Sequence, residues 1–220
     1  MASPVDLAIR DGVATLTLND GKANALSLPM AQAIDAGLDR AAEARVVVIR
    51  GRPGVLCGGF DLKVIRGGSA EDRAAMTGAG YRLLSRLYLL PTPLVFACTG
   101  HAVAAGALLL LTGDVRIGVR GEFRIGLNET AIGLALPQIG LELARDRLSP
   151  AALTEATLRA RLYDPEEAAA AGYLDGVADP EGLDAAIAHA TADLVKLDAN
   201  AFAATKRRLR QPSMERAELA

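Results

Sequence analysis

The stretch from Phe123 to Gly140, FRIGLNETAIGLALPQIG, holds a single carboxylate, Glu129, among apolar residues and glycines. A carboxylate kept in apolar surroundings has a raised pKa and becomes a stronger base. Two other segments carry backbone chemistry. In VLCGGFDLKVI, Val55–Ile65, the pair Gly58-Gly59 ends an apolar run and Asp61 is placed to cap a helix begun by LKVI. In CTGHAVAAGALLLL, Cys98–Leu111, a strand stops at Thr99-Gly100 and the small residues Ala102, Ala104, Ala105 and Gly106 open a helix. Turns of this kind present N–H groups that bind an anion or a developing oxyanion. Alone, each feature has a plain structural explanation: a tight turn, close helix packing, a surface acid. Together, one shielded base and two N–H-presenting turns are the parts needed to enolise a carbonyl compound.

The elements that position these parts follow from periodicity. VDLAIRDGVATLTLND reads as two strands around the Asp11-Gly12 hairpin signal. SLPMAQAIDAGLDRAAEA places Met30, Ile34 and Leu38 at helical spacing, with Pro29 in the first turn. RVVVIRG is a strand covered on both faces. Ser69 with Asp72 opens a long helix with a near capping box. Leu94–Cys98 reads as a buried strand, followed by a turn and a buried helix of about ten residues. DVRIGV and FRIGL are further strands. Beyond Pro137 the pattern turns helical through LPQIGLELARDRLS, SPAALTEATLRA and DPEEAAAAGYL, and beyond Pro180 only helices are expected. Strands alternating with helices indicate an α/β fold. The one boundary falls near Asp179-Pro180, giving a core over residues 1–179 and a helical region over 180–220.

Composition excludes several function classes. The chain has 220 residues, a net charge of −2 and 51% apolar residues, enough for a sizeable core. No basic stripe interleaved with aromatics points to nucleic acid. Cys57 and Cys98 form neither a disulfide framework nor a metal spacing, so a reducing, cytoplasmic setting is expected and no metal. The N-terminus MASPVDLAIRDG has no apolar signal core. Residues 87–113 carry no Asp, Glu, Lys or Arg, but Pro91, Pro93 and Thr99-Gly100 break the run, which favours a buried strand and helix over a membrane span.

In order along nearly the whole chain, DGKANALS, LCGGFDLKVI, GHAVAAGALLLLTGD and GLNETAIGLALP resemble four motifs of the crotonase, or enoyl-CoA hydratase/isomerase, superfamily. The resemblance implies a spiral of βαβ units with a helical C-terminal trimerisation or lid region, assembling as trimers or dimers of trimers. It implies a coenzyme A thioester as substrate, with no separate cofactor. It assigns the oxyanion N–H groups to Phe60 and Ala105, and CoA contacts to Lys22, Ala23, Ala25, Asp61, Leu62, Lys63 and Lys206.

Hydratases of the family typically use two glutamates. The first would fall at Leu108, and the second is Glu129. The GLNET context resembles the mitochondrial-type Δ3,Δ2-enoyl-CoA isomerases, which manage with one such acid. Isomerisation is therefore the leading expectation. Hydration with a nonstandard second acid, for which Glu142 is the candidate, is the alternative, and a non-catalytic acyl-CoA-binding protein is the alternative of another class. Glu142 otherwise reads as a solvated partner of Arg145. His101 reads as a packed or hydrogen-bonded histidine, and Cys57 as a small apolar filler.

Overall fold

The computed structural model describes residues 3–218. Strands β1 (Val5–Arg10) and β2 (Val13–Leu18) form the expected hairpin; Asp11 (φ 49°) and Gly12 (φ 77°) both adopt the left-handed turn geometry that Asp-Gly favours. Helix α1 (Leu28–Arg40) follows, capped by Ser27, whose side chain accepts from the Met30 amide.

The chain then winds through three turns of a spiral. Each turn gives one strand to a large sheet and the next to a small one. The first turn pairs β3 (Val46–Arg50) with β4 (Gly54–Cys57), the second β5 (Leu94–Cys98) with β6 (Gly100–Val103), and the third β7 (Val115–Val119) with β8 (Ile125–Gly126). With β9 (Gly176–Ala178), the large sheet has the order β1-β2-β3-β5-β7-β9, parallel except for the hairpin, and the small sheet has the order β4-β6-β8, all parallel. All five residues of β5 are buried, as a strand covered on both faces requires. Helices α2 (Leu62–Gly67) and α3 (Ala70–Tyr88) separate the first turn from the second, and α4 (Ala105–Leu111) separates the second from the third. The capping box on α3 is complete: the Ser69 hydroxyl accepts from the Asp72 amide, and the Asp72 carboxylate accepts from the Ser69 amide.

Helices α5 (Gln138–Arg147), α6 (Leu153–Thr157), α7 (Pro165–Ala171), α8 (Leu183–Leu194) and α9 (Ala199–Glu218) complete the described chain. Helix α8 lies against the large sheet, where Ile187 and Leu194 pack on Val46, Val48 and Val95. Met214 of α9 enters the main core. No helix among the described residues is long and apolar enough to cross a membrane.

Several short elements depart from expectation. The turn expected after Cys98 is a second strand, β6, and the buried helix beyond it is the seven-residue α4. FRIGL contributes only the two residues of β8, and SPAALTEATLRA only the five of α6. These segments are short because each ends where the spiral turns, and turn geometry outweighs propensity over so few residues.

The helix α4 is buried at every position, and it lies hard against the end of β4. A β-carbon on Gly106 would stand 2.0 Å from the Cys57 carbonyl oxygen and 2.7 Å from its carbon. Backbone cannot yield as a side-chain tip does, so Gly106→Ala is expected to destabilise by about 3 kcal/mol. Urea unfolding checks this through a lower midpoint at unchanged slope.

Candidate active site

The small sheet brings the three segments to one place. At the end of β4, Gly59 turns the chain with φ 101°. At the end of β6, Ala104 does so with φ 52° and ψ −123°, a conformation that L side chains rarely adopt, and α4 begins at Ala105. These two turns touch. A β-carbon on Gly59 would lie 3.2 Å from that of Ala104 and 3.8 Å from the Ala105 amide nitrogen. Among the described residues, neither the Phe60 nor the Ala105 N–H donates to a protein acceptor. The third segment is tied to the second, because the Ala104 amide donates to the Gly126 carbonyl at 3.0 Å. Gly126 ends β8, three residues before Glu129.

The loop of Glu129 is held on every side. The Tyr173 hydroxyl accepts from the Leu127 amide at 3.3 Å, and the Thr130 hydroxyl donates to the Thr157 carbonyl at 3.0 Å. The amides of Ile132 and Leu134 both donate to the Glu129 carbonyl, and Gly133 closes the turn at φ 77°. The Glu129 side chain is left without a partner at Oε2, and the residue is 8% exposed. Burial raises its carboxyl pKa, opposed in part by the backbone amides of Glu129 and Asn128.

Glu129 and Asn128 line a cavity of about 120 Å³ with Gly58, Gly59, Phe60 and Ala104. Its outer wall is Leu62, Ile65, Ile132 and Leu134, with Arg66 at the same rim. The arrangement is chemically simple: one shielded carboxylate beside two strand-end turns, each followed by one free amide, that of Phe60 and that of Ala105.

The expected CoA-contact residues divide into two groups. Lys22, Ala23 and Ala25 form a loop alongside the Gly58–Phe60 turn: the Gly58 amide donates to the Ala23 carbonyl at 2.9 Å, and the Leu26 amide to the Gly59 carbonyl at 2.8 Å. The buried Asn24 fixes this loop, its amide nitrogen donating to the Leu18 and Leu56 carbonyls and its oxygen accepting from the Asp20 amide. Arg52 adds a bond from Nε to the Lys22 carbonyl at 2.8 Å. Asp61 caps α2 through the Lys63 amide at 2.9 Å, and both residues line an open cleft of about 540 Å³ beside the cavity. Leu62, between Asp61 and Lys63 in sequence, is exposed and lines the small cavity rather than the cleft.

Lys206 is a correction. Its ammonium is 4% exposed and donates to Asp114 at 2.7 Å, and the same carboxylate accepts from the Leu94 amide. Asp114 and Leu94 mark the starts of β7 and β5, the opposite end of the strands from Glu129. Burial lowers the Lys206 pKa to about 8 despite the Asp114 charge. Its charge is committed to an internal pair and is not presented at the cavity.

Glu142 is a second correction. It pairs with Arg145 as its spacing predicts, but it is fully buried rather than solvated, because Arg216 of α9 closes over it at 2.8 Å and Gln138 donates at 3.1 Å. It does not line the cavity. Leu108, where a second glutamate would stand, is buried and faces α5 near Gly140.

The remaining residues behave as read. His101 accepts from the Arg124 amide at 3.0 Å and stacks edge-on against Phe123. Burial pushes the Cys57 thiol up to about 12, so it stays protonated. Sequence reasoning did not single out Asn24 or Asn128, and it named Ala104 only as one of the small residues opening α4. The signal for Asn128 was present, a second polar residue beside the acid in an apolar stretch.

A spiral of two parallel-stranded sheets, with such a cavity at the strand ends, is the crotonase architecture. The sequence profile described as Enoyl-CoA hydratase/isomerase matches residues 8–219, and the chain belongs to that family of enzymes. An enoyl-CoA hydratase/isomerase family protein from Pseudomonas syringae superposes with a TM-score of 0.95 at 45% identity, covering 99% of this chain and 94% of that one. An enoyl-CoA isomerase from Mycobacterium tuberculosis gives 0.94 at 37%, covering 100% and 96%. The human mitochondrial enoyl-CoA delta isomerase 1 is 29% identical over 210 residues, 93% of this chain and 70% of that protein.

Two predictions follow from the strain and burial here. Ala104→Gly removes the positive-φ penalty and is expected to raise stability by about 1 kcal/mol, read as a higher melting temperature. Glu129→Gln tests the buried charge. A carboxyl pKa raised on folding contributes stability that is complete below the ordinary value of 4.5 and lost as pH rises through the folded value. Glu129→Gln lacks that loss, so its melting temperature relative to the parent is expected to climb with pH above 4.5.

Proposed function

We propose that this enzyme moves a double bond in an enoyl-CoA thioester, Δ3 to Δ2, with Glu129 as the only acid–base group. The observation that carries the reading is a single unpaired buried carboxylate in the cavity, with leucine at 108 and Glu142 neutralised elsewhere. The thioester carbonyl oxygen sits between the Phe60 and Ala105 N–H groups. Glu129 removes a proton from C2. The C2–H electron pair enters conjugation with the C3=C4 double bond and the carbonyl, and the charge collects on the thioester oxygen. The two amides stabilise that oxyanion, each worth about 3 kcal/mol in a preorganised site. Glu129 then returns its proton to C4, leaving the double bond between C2 and C3.

The second reading, hydration of a 2-enoyl-CoA, needs a group to activate water in addition to the one that handles the C2 proton. Glu142 is its candidate, and the two arginine pairs of that residue weigh against it. On the same reading, Lys22, Ala23, Ala25, Asp61, Leu62 and Lys63 contact CoA, which arrives as part of the substrate, so no separate cofactor takes part. The resemblance further supports a homotrimer or a dimer of trimers, and the free buried thiols of Cys57 and Cys98 fit a cytoplasmic setting.

Incubating the protein separately with a 3-enoyl-CoA and a 2-enoyl-CoA discriminates the readings. Isomerisation is expected, falling by roughly 10³-fold or more in Glu129→Ala. Rapid hydration of the 2-enoyl thioester that survives this substitution overturns the assignment. CoA binding without turnover of either substrate favours a binding protein.

A further inference from the structure

Buried polar atoms without a hydrogen-bond partner are uncommon in native proteins and call for a reason. Among the side chains of the described residues there are three: Asn128 Oδ1, Glu129 Oε2 and Arg147 Nε. The first two belong to adjacent residues, and both residues line the same small cavity; Arg147 does not line it. The loop that carries them is fixed by its own backbone bonds and by Tyr173 and Thr130, so the orphaned pair is not a consequence of slack.

Ionised, Glu129 is an acceptor only. Once it has taken a proton it becomes a donor as well, with one O–H to satisfy. The cavity offers one orphaned buried side-chain acceptor apart from the carboxylate itself, the Asn128 carboxamide oxygen. The other titratable groups around Glu129 do not compete for this role. Tyr81 of α3 and Tyr173, beyond α7, feel the Glu129 charge, and both phenols stay neutral with their pKa values pushed up mainly by burial. Neither lines the cavity. Arg66 at the rim donates and cannot accept.

We propose that Asn128 is a positioning residue for the proton carrier: when Glu129 holds the proton, its O–H donates to Asn128 Oδ1. The inference rests on the isomerase reading above. In the first half-reaction the C2–H bond breaks and the Glu129 O–H bond forms; in the second that O–H breaks and C4–H forms. Between the two, Asn128 holds the acid in one orientation inside the cavity and keeps its proton from solvent. An acceptor for the neutral acid also favours the protonated state, which makes the carboxylate a stronger base.

The test is spectroscopic, so that it stands apart from turnover. The carbonyl stretch of protonated Glu129 is identified in the acid-minus-neutral infrared difference spectrum as the band missing from Glu129→Gln. A carboxylic acid that donates its O–H vibrates at lower frequency than a free one. In Asn128→Leu, whose side chain leaves no room for a replacement water, the band is expected to move to higher frequency. Where Asn128→Leu fails to fold by circular dichroism, Asn128→Met, also apolar and large enough to fill the space, carries the same comparison. An unmoved band overturns the proposal. With 3-enoyl-CoA in D2O, the same variants are expected to incorporate more solvent deuterium at C4 than the parent, and an unchanged fraction also counts against the tether. Should Glu129→Gln retain full isomerase activity, the functional reading fails, while the infrared comparison still decides whether Asn128 receives the proton.

Discussion

The three-strand parallel ladder of β4, β6 and β8 is the constraint on which the site depends. It is small, but its strand ends hold all the chemistry. β4 releases the chain at Gly59, β6 at Ala104 and β8 just before Asn128 and Glu129. The strands sit so close that a β-carbon on Gly100 would stand 2.0 Å from the Gly54 carbonyl carbon. The bond from the Ala104 amide to the Gly126 carbonyl then fixes the second turn against the third segment. Ligands of parallel sheets bind beyond the carboxyl ends of the strands. Here the three exits that meet there carry, in order, a free amide, a second free amide and a buried carboxylate.

The same place concentrates local cost. Ala104 holds a strained backbone, worth about 1–3 kcal/mol. Two buried acceptors lack partners, at roughly 1–3 kcal/mol each. Against a net folding stability of about 5–15 kcal/mol, these are not small. What offsets them is nearby: α4 is buried along its whole length and wedged onto β4 through Gly106, while Asn24 locks the loop on the other flank. The site is therefore a strained insert in a rigid frame, and the rigidity lets three unfavourable features persist within a few residues of one another.

How much of this the sequence exposes depends on the range of the interaction concerned. Local signals read correctly: the Asp11-Gly12 hairpin, the Ser69 capping box, the doubly covered β5 and the Arg145 partner of Glu142 are all set within a few residues. The α/β alternation and the motifs around Phe60, Ala105 and Glu129 were legible for the same reason. Of the small-sheet strands only β8 was, within FRIGL; β6 was read as a turn, since four residues carry too little periodicity. Long-range pairing was illegible too. Lys206 is drawn under the surface by Asp114, and Glu142 is sealed by Arg216; both partners lie far along the chain.

Those distant pairs also mark where the buried charges of the fold lie relative to Glu129. The starts of β5, β7 and β9 gather Asp114, Asp175, Arg116, Lys206 and Arg210 into ion pairs, with Arg210 also donating to the Tyr88 and Thr112 carbonyls. At the opposite ends the cavity around Glu129 is lined mainly by glycines, alanine and branched apolar side chains, with Arg66 the one cation among them. A buried lysine placed near Glu129 would have held its carboxyl ionised and made it a poor base. Lys206 and Arg210 are instead paired with Asp114 at the far end, and burial is what raises the Glu129 pKa.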